Sequence, residues 1–206
     1  MPLFSTMAAM DLIDAFASNE PVPGGGSASA LAGAVGTALL IMVAAMPKTR
    51  TGAPEETADL AEVEARLRPL RNELTGLIDR DSEVYATVIA ARRLPKQTDE
   101  EKAARLAAIQ SGTTLATEVP LDTMRKCRQA LQGAVVVAGN GSRNAASDVG
   151  VAIELLMAGL KGAALNVDIN LGGLTDQAFV ARARREREEL EREGAADADR
   201  ARAALS

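Results

Sequence analysis

The sequence predicts an all-α protein, an up-and-down bundle of long helices, and three observations carry that prediction. Alanine, leucine and charged residues dominate while aromatics make up 2%, a composition that favours helix over the β-branched and aromatic content of strands. Long uninterrupted stretches open with helix-start signals and are separated by short Pro- and Gly-containing breaks. Two segments, 27–46 and 144–166, are apolar on most sides, the pattern of helices buried in a core or between subunits. A chain of 206 residues suggests a single domain large enough to bury a sizeable core.

The elements follow in order. A first helix is expected over residues 5–17, ended by Ser18-Asn19-Glu20. Pro21-Val22-Pro23-Gly24-Gly25-Gly26-Ser27 is too broken for a regular element and runs into the first apolar helix, which Pro47 ends. Lys48, Thr49, Arg50, Thr51 and Gly52 form an exposed basic turn. Pro54 with Glu55 and Glu56 marks a helix start, and that helix runs to about residue 93 with a kink or break at Pro69. After the loop Leu94-Pro95-Lys96-Gln97, Thr98 and Glu101 make a capping box for a helix towards residue 137, with Pro120 inside it. Gly139-Asn140-Gly141-Ser142 is a turn, and Ser142 or Asn144 is the expected cap of the second apolar helix. Gly172-Gly173 breaks the chain before a charged helix over 175–193, with a flexible tail after about 194. Arg184/Glu188 and Glu188/Arg192 sit four apart on that helix, as pairs on a solvated face do.

The composition also excludes. Net charge is −5, and no basic block marks the body of the chain, so nucleic acid is not an expected partner. Histidine is absent, which removes His-based zinc sites and Ser-His-Asp or Cys-His catalysis. Acid–base work therefore falls to Asp, Glu, Lys, Tyr or water. The lone Cys127 forbids an internal disulfide, fits a reducing cytoplasm and reads as a small packed side chain. Segment 27–46 is long enough to span a bilayer. Its Ala, Gly and Ser content gives weak insertion, and no Lys or Arg precedes Lys48, so it reads as a buried helix rather than a span or a signal.

Pro23-Gly24-Gly25-Gly26-Ser27 places flexible backbone at a helix N-terminus, where a ligand can approach and the dipole favours an anion. It follows no strand and lacks the Lys of a nucleotide-binding loop. The wider pattern adds Met42-Val43 at the end of the apolar helix, Asp81 in a mid-chain helix, Val119-Pro120, Gly139-Asn140, and Ser147-Asp148 before Gly150-Val151-Ala152. It closes with Ala164-Leu165-Asn166-Val167 and Asn170. In this order the chain resembles the cyclodeaminase/cyclohydrolase family over roughly residues 8–185. The stretch from Leu94 to Arg105 resembles the stand-alone methenyltetrahydrofolate cyclohydrolases of methylotrophic bacteria within it.

The resemblance implies an all-α homodimer, a folate substrate and no metal or redox cofactor. It implies hydrolysis of 5,10-methenyltetrahydrofolate to the 10-formyl compound. Formiminotetrahydrofolate cyclodeamination is the near alternative, and a folate-binding or structural dimer without catalysis the distant one. Asp148 and Asp81 are the candidate catalytic carboxylates. Asp148 lies near a helix start among Ala145, Ala146 and Val149, where burial is expected. Asp81 is four residues from Tyr85 and shares its face. The glycine loop with Asn140, Asn166 and Asn170 is the expected pterin-binding set, and Lys48 and Arg50 are candidates for the glutamate tail. Eighteen residues separate Asp148 from Asn166, roughly 27 Å along a continuous helix, so the two meet only if the site lies at a subunit interface. One departure stands out: the family carries an Asn-Leu-Thr-like stretch where this chain reads Ala44-Ala45-Met46-Pro47, a polar side chain lost near the glycine loop.

Overall fold

The computed structural model describes residues 3–205, and all its regular elements are helices. A single 3₁₀ turn, Phe4–Thr6, precedes α1 (Ala9–Ala17). The bundle proper is α2 (Gly25–Ala44), α3 (Pro54–Arg92), α4 (Asp99–Asn140), α5 (Ala146–Leu171) and α6 (Gln177–Leu205). Side-chain neighbours fix the directions. Ser27 meets Ile78 and Asp81, a Cβ on Gly112 would touch Val88, and Asn170 bonds the Ala116 carbonyl, so α2 to α5 alternate in direction. Helix α6 runs beside α4 in the same sense, with Arg182 on Glu118 and Arg125 on Glu186.

Small residues set the centre. At the crossing of α2 and α5, a Cβ on Gly33 would lie 2.7 Å from Cys127 Sγ, and one on Gly159 would lie 2.8 Å from the Ser29 carbonyl. The two backbones therefore approach closely, and Cys127 fills the gap they leave. Burial pushes its thiol up to about 12, so it is a packed apolar group, as expected. Leu40, Leu67, Leu74, Met124, Leu131, Leu156 and Leu160 close the core around it.

Several boundaries differ from the sequence reading, each for a physical reason. Pro69 lies inside an unbroken α3; buried Leu67 and Leu74 on either side hold the helix through the one lost hydrogen bond. The capping box at Thr98 and Glu101 forms as expected. The following helix continues through Gly139 and Asn140, so the turn begins at Gly141. Neither Ser142 nor Asn144 caps α5 by its side chain; a 3₁₀ turn, Arg143–Ala145, leads in instead. Helix α6 runs on past the end expected near residue 193 to Leu205, with Ala198 and Ala201 fully buried along it. The expected pairs of Glu188 with Arg184 and Arg192 do not form. Helix α6 instead pairs Arg187 with Glu191 and Arg192 with Glu189 along its own surface, and reaches across to other helices through Arg187 to Asp168 and Arg202 to Glu154.

Helix α5 is not buried all round within one chain. Val149, Ile153, Leu156 and Leu160 turn inward, while Val151, Leu165 and Ile169 are 53%, 69% and 77% exposed. Helix α2 likewise presents Val35 and Met42 to solvent and buries its other side, including Gly36, Thr37 and Leu40.

Candidate active site

At one end of the bundle the start of α2, the last turns of α3, the first half of α4 and the end of α5 enclose a cleft of about 350 Å³. Its floor is the glycine loop. Helix α2 begins at Gly25 with Gly24 as its N-cap, so the last two glycines already form the first turn. No side chain of the loop caps this helix. The cap comes from α3: the Asp81 carboxylate accepts from the Ser27 N–H at 2.9 Å and lies 3.0 Å from the Ser27 hydroxyl. That hydroxyl also reaches the Ile78 carbonyl at 2.9 Å and is fully buried.

This contact explains Gly26. A Cβ at that position would stand 2.1 Å from Asp81 Oδ1, so the missing side chain makes room for the carboxylate. The sequence reading expected the loop to admit a ligand; part of that space belongs to Asp81. Burial raises the Asp81 carboxyl above its ordinary value of 3.8, and the hydrogen bonds from Ser27 oppose it. A carboxyl raised by desolvation at the edge of a cleft has the character of a general base or acid.

Two amides stand opposite. Asn166 donates to the Gly162 carbonyl at 2.9 Å and its amide packs 3.6 Å from the Cβ position of Gly25. Asn170 donates to the Ala116 carbonyl at 2.7 Å. Both amides are thereby oriented, and neither Oδ1 receives a hydrogen bond from the described residues, which leaves two acceptors for a ligand. Val84, Tyr85, Val88, Ile89 and Ile109 supply an apolar wall beyond Asp81.

The cleft thus unites Gly24, Gly25, Gly26, Asp81, Asn166 and Asn170, with buried Pro23 and Ser27 directly behind the loop. The other candidates lie at the opposite end of the bundle. Asn140 bonds Asp59 there at 3.0 Å. Arg50 donates through its guanidinium to the carbonyls of Ala138 and Ala204, and Lys48 is exposed in the turn beside it. Asp148, in the first turn of α5, is half-buried rather than buried. Segment 44–50 shares that end, a full 20-residue helix away from the glycine loop, roughly 30 Å. The departure at Ala44 to Pro47 therefore does not remove a polar group beside the loop of the same chain.

Sequence reasoning missed Arg92, which also lines the cleft. Its signal was the helical repeat: Asp81, Tyr85, Val88, Ile89 and Arg92 descend one face of α3. Among the described residues no cluster of three His, Cys, Asp or Glu side chains is arranged to hold a metal ion.

The chain is similar to known proteins throughout the bundle. The profile of the formiminotransferase-cyclodeaminase family matches residues 8–189. A methenyltetrahydrofolate cyclohydrolase of Methylorubrum extorquens is 46% identical over 168 residues, 82% of this chain and 81% of that protein. The formimidoyltransferase-cyclodeaminases of Gallus gallus and Sus scrofa are 32% and 35% identical, and this chain matches 31% of the length of each. The crystal structure of formiminotetrahydrofolate cyclodeaminase from Thermotoga maritima superposes with a TM-score of 0.87 at 25% identity, covering 97% of this chain and 96% of that one.

Proposed function

Because this chain belongs to the formiminotransferase-cyclodeaminase family, we propose that it hydrolyses 5,10-methenyltetrahydrofolate to 10-formyltetrahydrofolate. The observation that carries the reading is Asp81, the one carboxylate that the described residues of a single chain bring to the cleft, its carboxyl raised by burial and held against the α2 N-terminus by Ser27. The identity to the Methylorubrum cyclohydrolase over four-fifths of both chains supports the choice of reaction.

The substrate carries one carbon between two nitrogens that share a positive charge. It is already electrophilic, so the reaction is proposed to need no metal and no cofactor. The Asp81 carboxylate stabilises the cation and removes a proton as a water oxygen bonds to the bridging carbon. In the neutral adduct the carbon–N5 bond breaks, and the protonated Asp81 returns its proton to N5. The adduct hydroxyl loses its proton to solvent as the formyl C=O forms, so one proton is released per turnover. Positioned proton transfer of this kind contributes about 10²–10⁴-fold. Asn166 and Asn170 offer their free Oδ1 atoms to pterin N–H groups.

The second reading, cyclodeamination of formiminotetrahydrofolate, is favoured by the 0.87 superposition on a cyclodeaminase. Purified protein offered each substrate separately decides between them. Loss of methenyl absorbance faster than in buffer supports the hydrolase; ammonia release from the formimino compound, without methenyl hydrolysis, supports the cyclodeaminase.

The proposed active form is a homodimer. The outward apolar stripe of α2 and α5, with Val35, Met42, Val151, Leu165 and Ile169, suits a second copy of itself. An antiparallel pairing across this stripe sets the Asp148 end of one chain beside the cleft of the other. In that arrangement Asp148, Asn140 and Lys48 complete the site from the opposite subunit.

A further inference from the structure

The cleft has a charge at each end and none between. Among the described residues the charged ones that line it are Asp81 and Arg92, eleven residues apart on α3 and therefore about 16 Å along the axis. Apolar Val84, Val88, Ile89 and Ile109, with Tyr85, separate them. Arg92 is exposed at the last turn of its helix, and helical side chains lean back towards the N-terminus, which directs it along the cleft. Its guanidinium makes no ion pair or hydrogen bond with the described residues. A second cation lies nearby: Arg105 donates from Nε to the Arg92 backbone carbonyl at 3.1 Å, and it too has no acidic partner among the described residues.

We propose that Arg92 binds the glutamate carboxylate of the substrate's tail and so sets the enzyme's preference for glutamylated folates. The inference rests on the folate reading above. A methenyltetrahydrofolate carries its cation at the bicyclic end and its carboxylates beyond a benzoyl ring and an amide. The cleft matches that order, with Asp81 at the cationic end, an apolar wall along the ring and Arg92 at the anionic end. Arginine suits the task because its planar fork engages a carboxylate through two parallel hydrogen bonds. Within one chain Arg92 is the cation that reaches the cleft, whereas Lys48 and Arg50, which the sequence suggested for the tail, lie at the far end of the bundle.

The experiment compares wild type, Arg92→Gln and Arg92→Lys on methenyltetrahydrofolate and on the methenyl derivative of tetrahydropteroic acid N-methylamide, in which a neutral amide replaces the glutamate. Arg92→Gln should raise KM for the glutamylated substrate about ten-fold with little change in kcat, Arg92→Lys should recover part of that loss, and the two variants and wild type should treat the tailless substrate alike. An unchanged KM with active wild type overturns the role of Arg92, and so does an equal rise for both substrates, which marks a change in cleft shape. If wild type turns over neither substrate, the hydrolase reading fails. Calorimetric binding of folic acid against the N-methylamide of pteroic acid then tests Arg92 by itself, and equal loss or no loss for the two ligands in Arg92→Gln overturns it.

Discussion

Gly26 has no side chain because Asp81 occupies the place where one would be. Gly26→Ala should therefore push the carboxylate from the α2 N-terminus and reduce hydrolysis to near the level of a variant lacking the carboxylate, with helicity by circular dichroism retained. Asp81→Asn separates chemistry from stability. Burial raises the folded-state value of Asp81 above its unfolded one. The stability this group contributes is then present below the unfolded value and lost as pH rises through the folded one. At neutral pH the ionised carboxylate costs stability, so Asp81→Asn should melt no lower than wild type. The same shift sets an acid limb in kcat/KM: activity falls as Asp81 is protonated, at a pH above the ordinary aspartate value of 3.8. The glycine loop and Asp81 were visible in the sequence, but their contact was not, because 54 residues separate Ser27 from Asp81.

At the scale of the helices, order and direction were legible, since Pro54, Thr98 and the Gly-containing breaks state where elements start and stop. The end of α6 was not. Small Ala198 and Ala201 gave little hydrophobic signal, yet they are fully buried, and Asp197 is buried with Arg128 and Arg200 beside it. Arg128 lies 3.3 Å from Asp197 Oδ2 and also reaches Glu193 at 3.2 Å, fastening α6 to α4. Asp197→Ala leaves the half-buried Arg128 without its most buried partner. It should lower stability by about 2 kcal/mol in urea melts without changing KM, because the pair lies away from the cleft lining. Stability equal to wild type would show that Glu193 suffices to hold α4 and α6 together.

Across the whole molecule, the outward stripe of α2 and α5 carries the dimer proposal. The apolar composition of both helices was plain in the sequence. Which side of each faces inward was not, because both faces are equally apolar and only packing against α3, α4 and α6 distinguishes them. A charge in the stripe should break the pairing: Leu165→Glu, at a position 69% exposed in one chain, should fold, run as a monomer in light scattering and lose most hydrolysis. A monomer with full activity would contradict an interface site and leave Asp148, Asn140 and Lys48 without a catalytic part.

The central claim is that Asp81 drives hydrolysis of a methenyl folate without a metal. Its most direct test follows the loss of methenyltetrahydrofolate absorbance with wild type and Asp81→Asn, each with and without a strong chelator. The account predicts rapid turnover by wild type that the chelator does not alter, and a fall of about 10²–10⁴-fold in the variant. Turnover by Asp81→Asn at the wild-type rate, or wild-type turnover abolished by the chelator, would contradict it.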